Sequence, residues 1–150
     1  MRTVRVVRGI EAQPEAVFDL ISDHARYDRF RGVRSSELVR EGEPPPNGVK
    51  AIRRVQIGPI SFDEEVTAFD RPTRMDYLIL RINAPFQHRG ASMRLLEDRG
   101  RTIVEWTSSF TVPALLGAVQ EGVWALALGR GFRMMLEDVE RILADKAGAG

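Results

Sequence analysis

Residues 119–146 read VQEGVWALALGRGFRMMLEDVERILADK. Within that stretch Leu128, Phe132, Met135, Leu136, Val139, Ile142 and Leu143 recur at intervals of three and four, which places one broad apolar stripe on a helix. The opposite face carries Arg130, Arg133, Glu137, Asp138, Glu140 and Arg141. Glu137 precedes Arg141 by one helical turn, a pairing worth about 0.2–0.5 kcal/mol. Gly129 and Gly131 interrupt the pattern, each at up to roughly 1 kcal/mol relative to alanine. Close approach to another backbone, or room for a ligand, would explain them. A helix with such a stripe needs an apolar partner, and nearly everything before it has the alternation of strands, so the expected partner is a sheet.

Working back to the N-terminus, Thr3 to Ile10 alternate, with Val4, Val6 and Ile10 on one side, and read as a first strand. Pro14 suits the first position of a helix and Glu15 suits its dipole, with Val17, Phe18, Leu20 and Ile21 forming its buried side. Asp23 is placed to cap a second short helix running through Tyr27 or Phe30. From Val33 the period changes to two. Strands are expected at Val33–Arg40, Val49–Ile57, Ile60–Asp70, Met75–Ile82, Arg89–Glu97 and Thr102–Val112, separated by turn residues such as Pro44-Pro45-Pro46-Asn47-Gly48 and Gly58-Pro59. With no linker or repeat between them, residues 1–146 are expected to form one domain, with 147–150 as a short tail.

The tight turns fix which residues face each other. If Ile57 faces Ile60, then Val55 faces Phe62 and Arg53 faces Glu64. In the last hairpin, pairing Asp98 with Arg101 sets Leu95 opposite Val104, Met93 opposite Trp106 and Ala91 opposite Ser108. Cross-strand partners share a face, so Val104, Trp106, Phe110 and Val112 are expected inward. Arg53 and Glu64 then fall on the inward register of otherwise apolar strands, which is costly unless they pair or are wetted.

Composition narrows the function. A chain of 150 residues with 43% hydrophobic and 29% charged residues is ordinary for a globular domain, large enough to bury roughly 70% of its unfolded surface. A net charge of +1 gives no reason to expect nucleic acid or an acidic membrane surface. There is no cysteine, hence no disulfide, thiol nucleophile or thiolate metal site. With His24 and His88 as the only histidines and no calcium-loop spacing, no metal or other cofactor is expected. No apolar run has the length of a membrane span or signal core, so a cytoplasmic location is the default expectation. Phosphate-cradling, dinucleotide and nucleophile-elbow motifs are absent. Nothing in the sequence sets an oligomeric state.

The order strand–helix–helix–six strands–long helix resembles the helix-grip fold of the START-like (SRPBCC, Bet v 1-like) superfamily. The stretches IEAQPEAVFDLISDHARYDRF (10–30), FDEEVTAFDRPTRMDY (62–77), VEWTSSFTVP (104–113) and LGRGFRMMLEDVERIL (128–143) are most similar to its polyketide cyclase/dehydrase and lipid transport family. The resemblance implies an α+β fold in which a seven-stranded antiparallel sheet wraps the C-terminal helix, with a cavity between them. It implies binding of a lipid, polyketide or isoprenoid-like molecule. The alternatives are a polyketide cyclase or dehydrase enzyme, and a protein-interaction role.

On that basis Arg53, Phe62, Glu64, Tyr77, Met93, Trp106, Phe110, Leu128 and Phe132 are the expected ligand-binding residues. Glu64 and Tyr77 are also candidates for acid–base work, because a carboxyl or phenol in an apolar cavity has a shifted pKa. The plainer alternative for Glu64 is a structural ion pair with Arg53. Tyr77 follows a turn whose length leaves its face open. His88 is placed near a cavity mouth or, more plainly, in solvent. Pro113 to Gly122 is expected to be a mobile loop beside Ala84-Pro85-Phe86.

Overall fold

The computed structural model describes residues 1–149, and the side chains of all of these except 24, 116 and 149. β1 (Arg2–Ile10) leads into α1 (Pro14–Ile21) and a 3-10 helix (His24–Arg29). β2 (Val33–Arg40), β3 (Ile52–Ile57), β4 (Ile60–Asp70), β5 (Arg74–Ile82), β6 (Gln87–Asp98) and β7 (Arg101–Thr111) follow. A 3-10 turn (Ala114–Leu116) then precedes α2 (Gly117–Ala149). The strands form one antiparallel sheet in the order β1-β7-β6-β5-β4-β3-β2. This is the expected α+β helix-grip architecture, with α2 lying against one face of the sheet. No helix among the described residues is long and apolar enough to cross a membrane.

Alternation places the core. Val4, Val6 and Ile10 of β1 are buried, as are Val104, Trp106 and Phe110 of β7. From α1, Val17, Phe18 and Ile21 are fully enclosed, and Phe18 meets Phe69 edge-on with ring centroids 5.1 Å apart. Phe132, Leu136 and Val139 carry the stripe of α2 into this core.

Several boundaries differ from expectation, each for a local reason. Asp23 stands at the helix N-cap but makes no capping bond; its carboxylate takes the Arg29 guanidinium at 3.4 Å instead. β3 starts at Ile52 rather than Val49, because Val49 bridges back to Glu43 and Lys50 has a positive φ of 74°. The stretch 117–122 is not a loop: α2 begins at Gly117 and continues through most of the expected tail. Asp138 is not on a solvent face but fully buried, accepting the Arg31 backbone N–H at 2.8 Å and its guanidinium at 2.6 Å. Glu137 does not pair with Arg141. It faces Arg8 and Arg31 at 3.9 and 3.3 Å, while Arg141 turns to the buried charge of Asp138 at 3.4 Å. Two arginines brought in from elsewhere in the fold thus compete successfully with a weak pair along the helix.

Candidate functional site

The Gly58-Pro59 turn sets the β3–β4 register as expected: Ile57 opposite Ile60, Val55 opposite Phe62, and Arg53 opposite Glu64. Inward-facing positions of both strands are otherwise apolar, so the two charges are buried together. Arg53 is 2% exposed and Glu64 5%, and the guanidinium donates directly to the carboxylate. Tyr27 and Tyr77 offer their ring faces to the Arg53 guanidinium, 4.3 and 5.3 Å from its carbon. Burial pushes the Arg53 guanidinium down, but the Glu64 charge, with the two phenols, more than reverses this and holds it above its ordinary value. Burial raises the Glu64 carboxyl, and the charge and hydrogen bond of Arg53 only partly offset that.

Tyr77 faces inward. It pairs with Val66 on one side and Ala91 on the other, after a bulge between Val66 and Ala68 that shifts the register of β4 by one residue. Its hydroxyl accepts the Trp106 indole N–H at 3.0 Å. Burial, with Glu64 nearby, raises the phenol pKa well above its usual value, so it stays protonated. Trp106 in turn stacks on Phe132 of α2, centroids 3.9 Å apart and planes 14° from parallel.

His88 is buried rather than solvated. Counting back by twos from Ala91, Met93 and Leu95 puts His88 on the outer face. However, the β6–β7 register shifts between His88 and Gly90, where Gly90 has φ +127°. That bulge flips the imidazole inward. Its Nδ1 accepts the Ile79 backbone N–H at 2.9 Å, and its Nε2 lies 3.0 Å from Ser108 Oγ. The ring stacks on Tyr77, centroids 5.8 Å apart. Burial lowers its pKa to about 4. A glycine inside a strand is the sequence sign of such a bulge.

These groups line a cavity of about 290 Å³ between the sheet and α2. Of the expected ligand-binding residues, Arg53, Phe62, Glu64, Tyr77, Trp106, Leu128 and Phe132 line it. Met93 and Phe110 do not; Met93 pairs with Trp106 and Met75 across the sheet, and Phe110 meets Phe86 edge-on. Lining residues that the sequence does not single out for the site include Tyr27, Phe30, Ile79, Ser108 and Trp124, and it places Phe86 and His88 only near a mouth. Trp124, in the stretch read as helix but outside its apolar stripe, stacks on Phe86 with centroids 5.3 Å apart.

The two glycines of α2 separate here. A Cβ on Gly129 would meet Val4 Cγ1 at 3.5 Å, an ordinary contact, whereas one on Gly131 would meet nothing within 4 Å. Gly131 lines the cavity. Gly131→Ala is therefore expected to stabilise the helix by about 1 kcal/mol, raising Tm by about 2–4 °C in differential scanning calorimetry. A lowered Tm would mean that the backbone itself requires glycine there.

The fold recurs among solved structures. The chain is similar to TTHA0849 from Thermus thermophilus at 21% identity and TM-score 0.77, covering 96% of this chain and 99% of that one. It is similar to XoxI from Bacillus cereus at 19% identity and TM-score 0.75, covering 98% and 99%. Ara h 8.0201 aligns at 14% identity and TM-score 0.71, covering 96% and 98%. At these identities the likeness shows the fold alone. No curated protein matches the chain in sequence. The model of the family described as polyketide cyclase / dehydrase and lipid transport matches residues 1–144, and the chain belongs to that family.

Proposed function

We propose that the protein binds a small, largely apolar molecule between the sheet and α2. The observation that carries this reading is the cavity itself: aromatic and aliphatic walls with a few hydrogen-bonded polar side chains among them, the usual composition of a small-molecule site. Its volume of about 290 Å³ sits at the lower end of ligand pockets, roughly 300–1,000 Å³. A compact two- or three-ring molecule suits it better than a long acyl chain.

Binding is favoured over cyclase or dehydrase chemistry by how the polar groups are spent. Glu64 is paired with Arg53, His88 Nδ1 is occupied by a backbone N–H, and the Tyr77 phenol is held protonated. A general base must reach a substrate proton with a free lone pair, and these groups are engaged elsewhere. The test is titration with N-phenyl-1-naphthylamine, a neutral aromatic probe that fluoresces when buried. Saturable binding is expected, weakened at least tenfold by Gly131→Trp, which fills the cavity from α2. Absence of saturable binding, or equal binding by the filled variant, would count decisively against it.

A further inference from the structure

We infer that two copies of the chain pair through the first half of α2, antiparallel, in a dimer that lies across the mouth of the cavity. The inference is independent of what the cavity holds. It follows from a second apolar stripe on α2, turned away from the sheet, which no described part of the chain covers.

Val119, Val123 and Leu126 are 80, 56 and 73% exposed, and Leu115, on the 3-10 turn just before the helix, is wholly exposed. The three helix residues are spaced by four and then three, and the exposed Arg130 and Arg133 continue the line by four and three at its C-terminal end. Alternating steps of four and three trace the narrow seam of a helix pair, whereas the stripe that faces the sheet, from Leu128 to Leu143, is broader. At about 3.6 residues per turn the two stripes fall on opposite sides of α2. Gly122 lies beside the seam inside the helix, where glycine is unfavourable. Its own chain does not require it, since a Cβ there would meet nothing within 4 Å. A second helix drawn close would.

Area and charge favour a second copy as the occupant. At these exposures the four aliphatic side chains present roughly 500 Å² per copy, and a stable interface buries about 600–1,000 Å² on each partner. The exposed Ala118, Gln120 and Ala127 alongside supply the difference. The seam is its own complement, as a twofold interface must be. A parallel pair would set Arg130 and Arg133 against their twins. An antiparallel pair brings Val123 opposite the partner's Leu126 and holds these like charges at least about 16 Å apart along the axis. A helix lying in a membrane surface carries aromatic residues in its apolar face and cations along its flanks; here the face is aliphatic and the cations stand in line with it, at one end. Ala127 and Gly131, also exposed, line the cavity next to the seam, so the second copy lies over this opening.

Sedimentation equilibrium of the full chain should show a monomer–dimer equilibrium. Val123→Glu with Leu126→Glu sets carboxylates opposite each other across the seam and should weaken it at least about a hundredfold. Both side chains are exposed in the single copy, so the variant should keep the parent's circular dichroism spectrum. The chain has no cysteine, which makes the helix order readable by crosslinking. Under mild oxidation Val123→Cys mixed with Leu126→Cys should form the crossed disulfide, and Val119→Cys should form none with itself. Ala127→Cys should react with a maleimide severalfold more slowly above the dimer midpoint than below it. A chain that stays monomeric up to about 1 mM would overturn the inference, as would a dimer that the double substitution leaves intact. Monomers that sediment with phosphatidylcholine–phosphatidylglycerol vesicles through the same two residues would give the stripe to a lipid surface and overturn it too. A Val119→Cys disulfide would reverse the helix order, and unchanged Ala127→Cys labelling would remove the partner from the mouth; either result overturns the dimer as described.

Discussion

Replacing Arg53 with methionine is expected to cost about 3–5 kcal/mol, because it leaves the Glu64 charge buried without its partner. At about 2–4 °C per kcal/mol for a chain of this size, Tm should fall by about 6–20 °C. Arg53 and Glu64 are both almost entirely enclosed, so water cannot readily take over the lost interaction. The double variant Arg53→Met with Glu64→Leu should recover most of the loss, since apolar residues of similar volume often replace a buried pair at little or no cost. Recovery should be incomplete, because the Tyr27 and Tyr77 ring faces also lose the guanidinium over them, at about 0.5–2 kcal/mol. Urea unfolding of the four proteins completes the cycle. A single variant within about 1 kcal/mol of the parent would show that the pair is not what holds this part of the cavity wall together.

That pair was legible in the sequence because a two-residue turn leaves no freedom in register. Once Gly58-Pro59 closes the hairpin, counting outward brings Arg53 to Glu64, and the Arg99-Gly100 turn does the same for Met93 and Trp106. The lower part of α2 was legible from its period. Counting fails where a strand gains a residue. The bulge after Val66 obscured the face of Tyr77, and the one before Gly90 reversed that of His88. Periodicity also reports a face without its depth: Met93 and Phe110 point the same way as Trp106, yet the cavity spans only part of that face. The start of α2 was hidden for a different reason. Val119, Val123 and Leu126 are strongly exposed, so its first turns present no conventional buried stripe, and Gly117 and Gly122 suggested a loop. Trp124 lay inside the stretch read as helix but before the first residue of its stripe, Leu128, and went unassigned.

Acidification should expose the role of the residue that counting misplaced. The His88 pKa is lowered from 6.5 to about 4 by burial, so the folded protein favours the neutral ring. The stability this represents is fully present above the unfolded value of 6.5 and is lost as pH falls through 6.5 toward about 4. The loss approaches about 3 kcal/mol. Glu64, with a raised pKa, contributes in the opposite sense: its share is present below its unfolded value and lost as pH rises through the folded one. The His88 effect must therefore be isolated as a difference against His88→Gln, in which Glu64 is unchanged. The parent should lose stability relative to the variant across that window, and the His88 imidazole resonance should remain neutral at pH 6. A His88 titrating near 6.5 would sink the argument. The mechanism is a steric and electrical conflict. β5 and β6 pair only from Arg74 with Arg94 to Tyr77 with Ala91. Beyond that point the Ile79 N–H is satisfied by the His88 ring rather than by a strand carbonyl. A protonated Nδ1 cannot accept it, so two donors would face each other where the imidazole now ties β5 to β6, beside Tyr77 and Ser108 on the cavity wall. Ligand affinity should consequently weaken over the same pH range as stability, and in His88→Gln it should not.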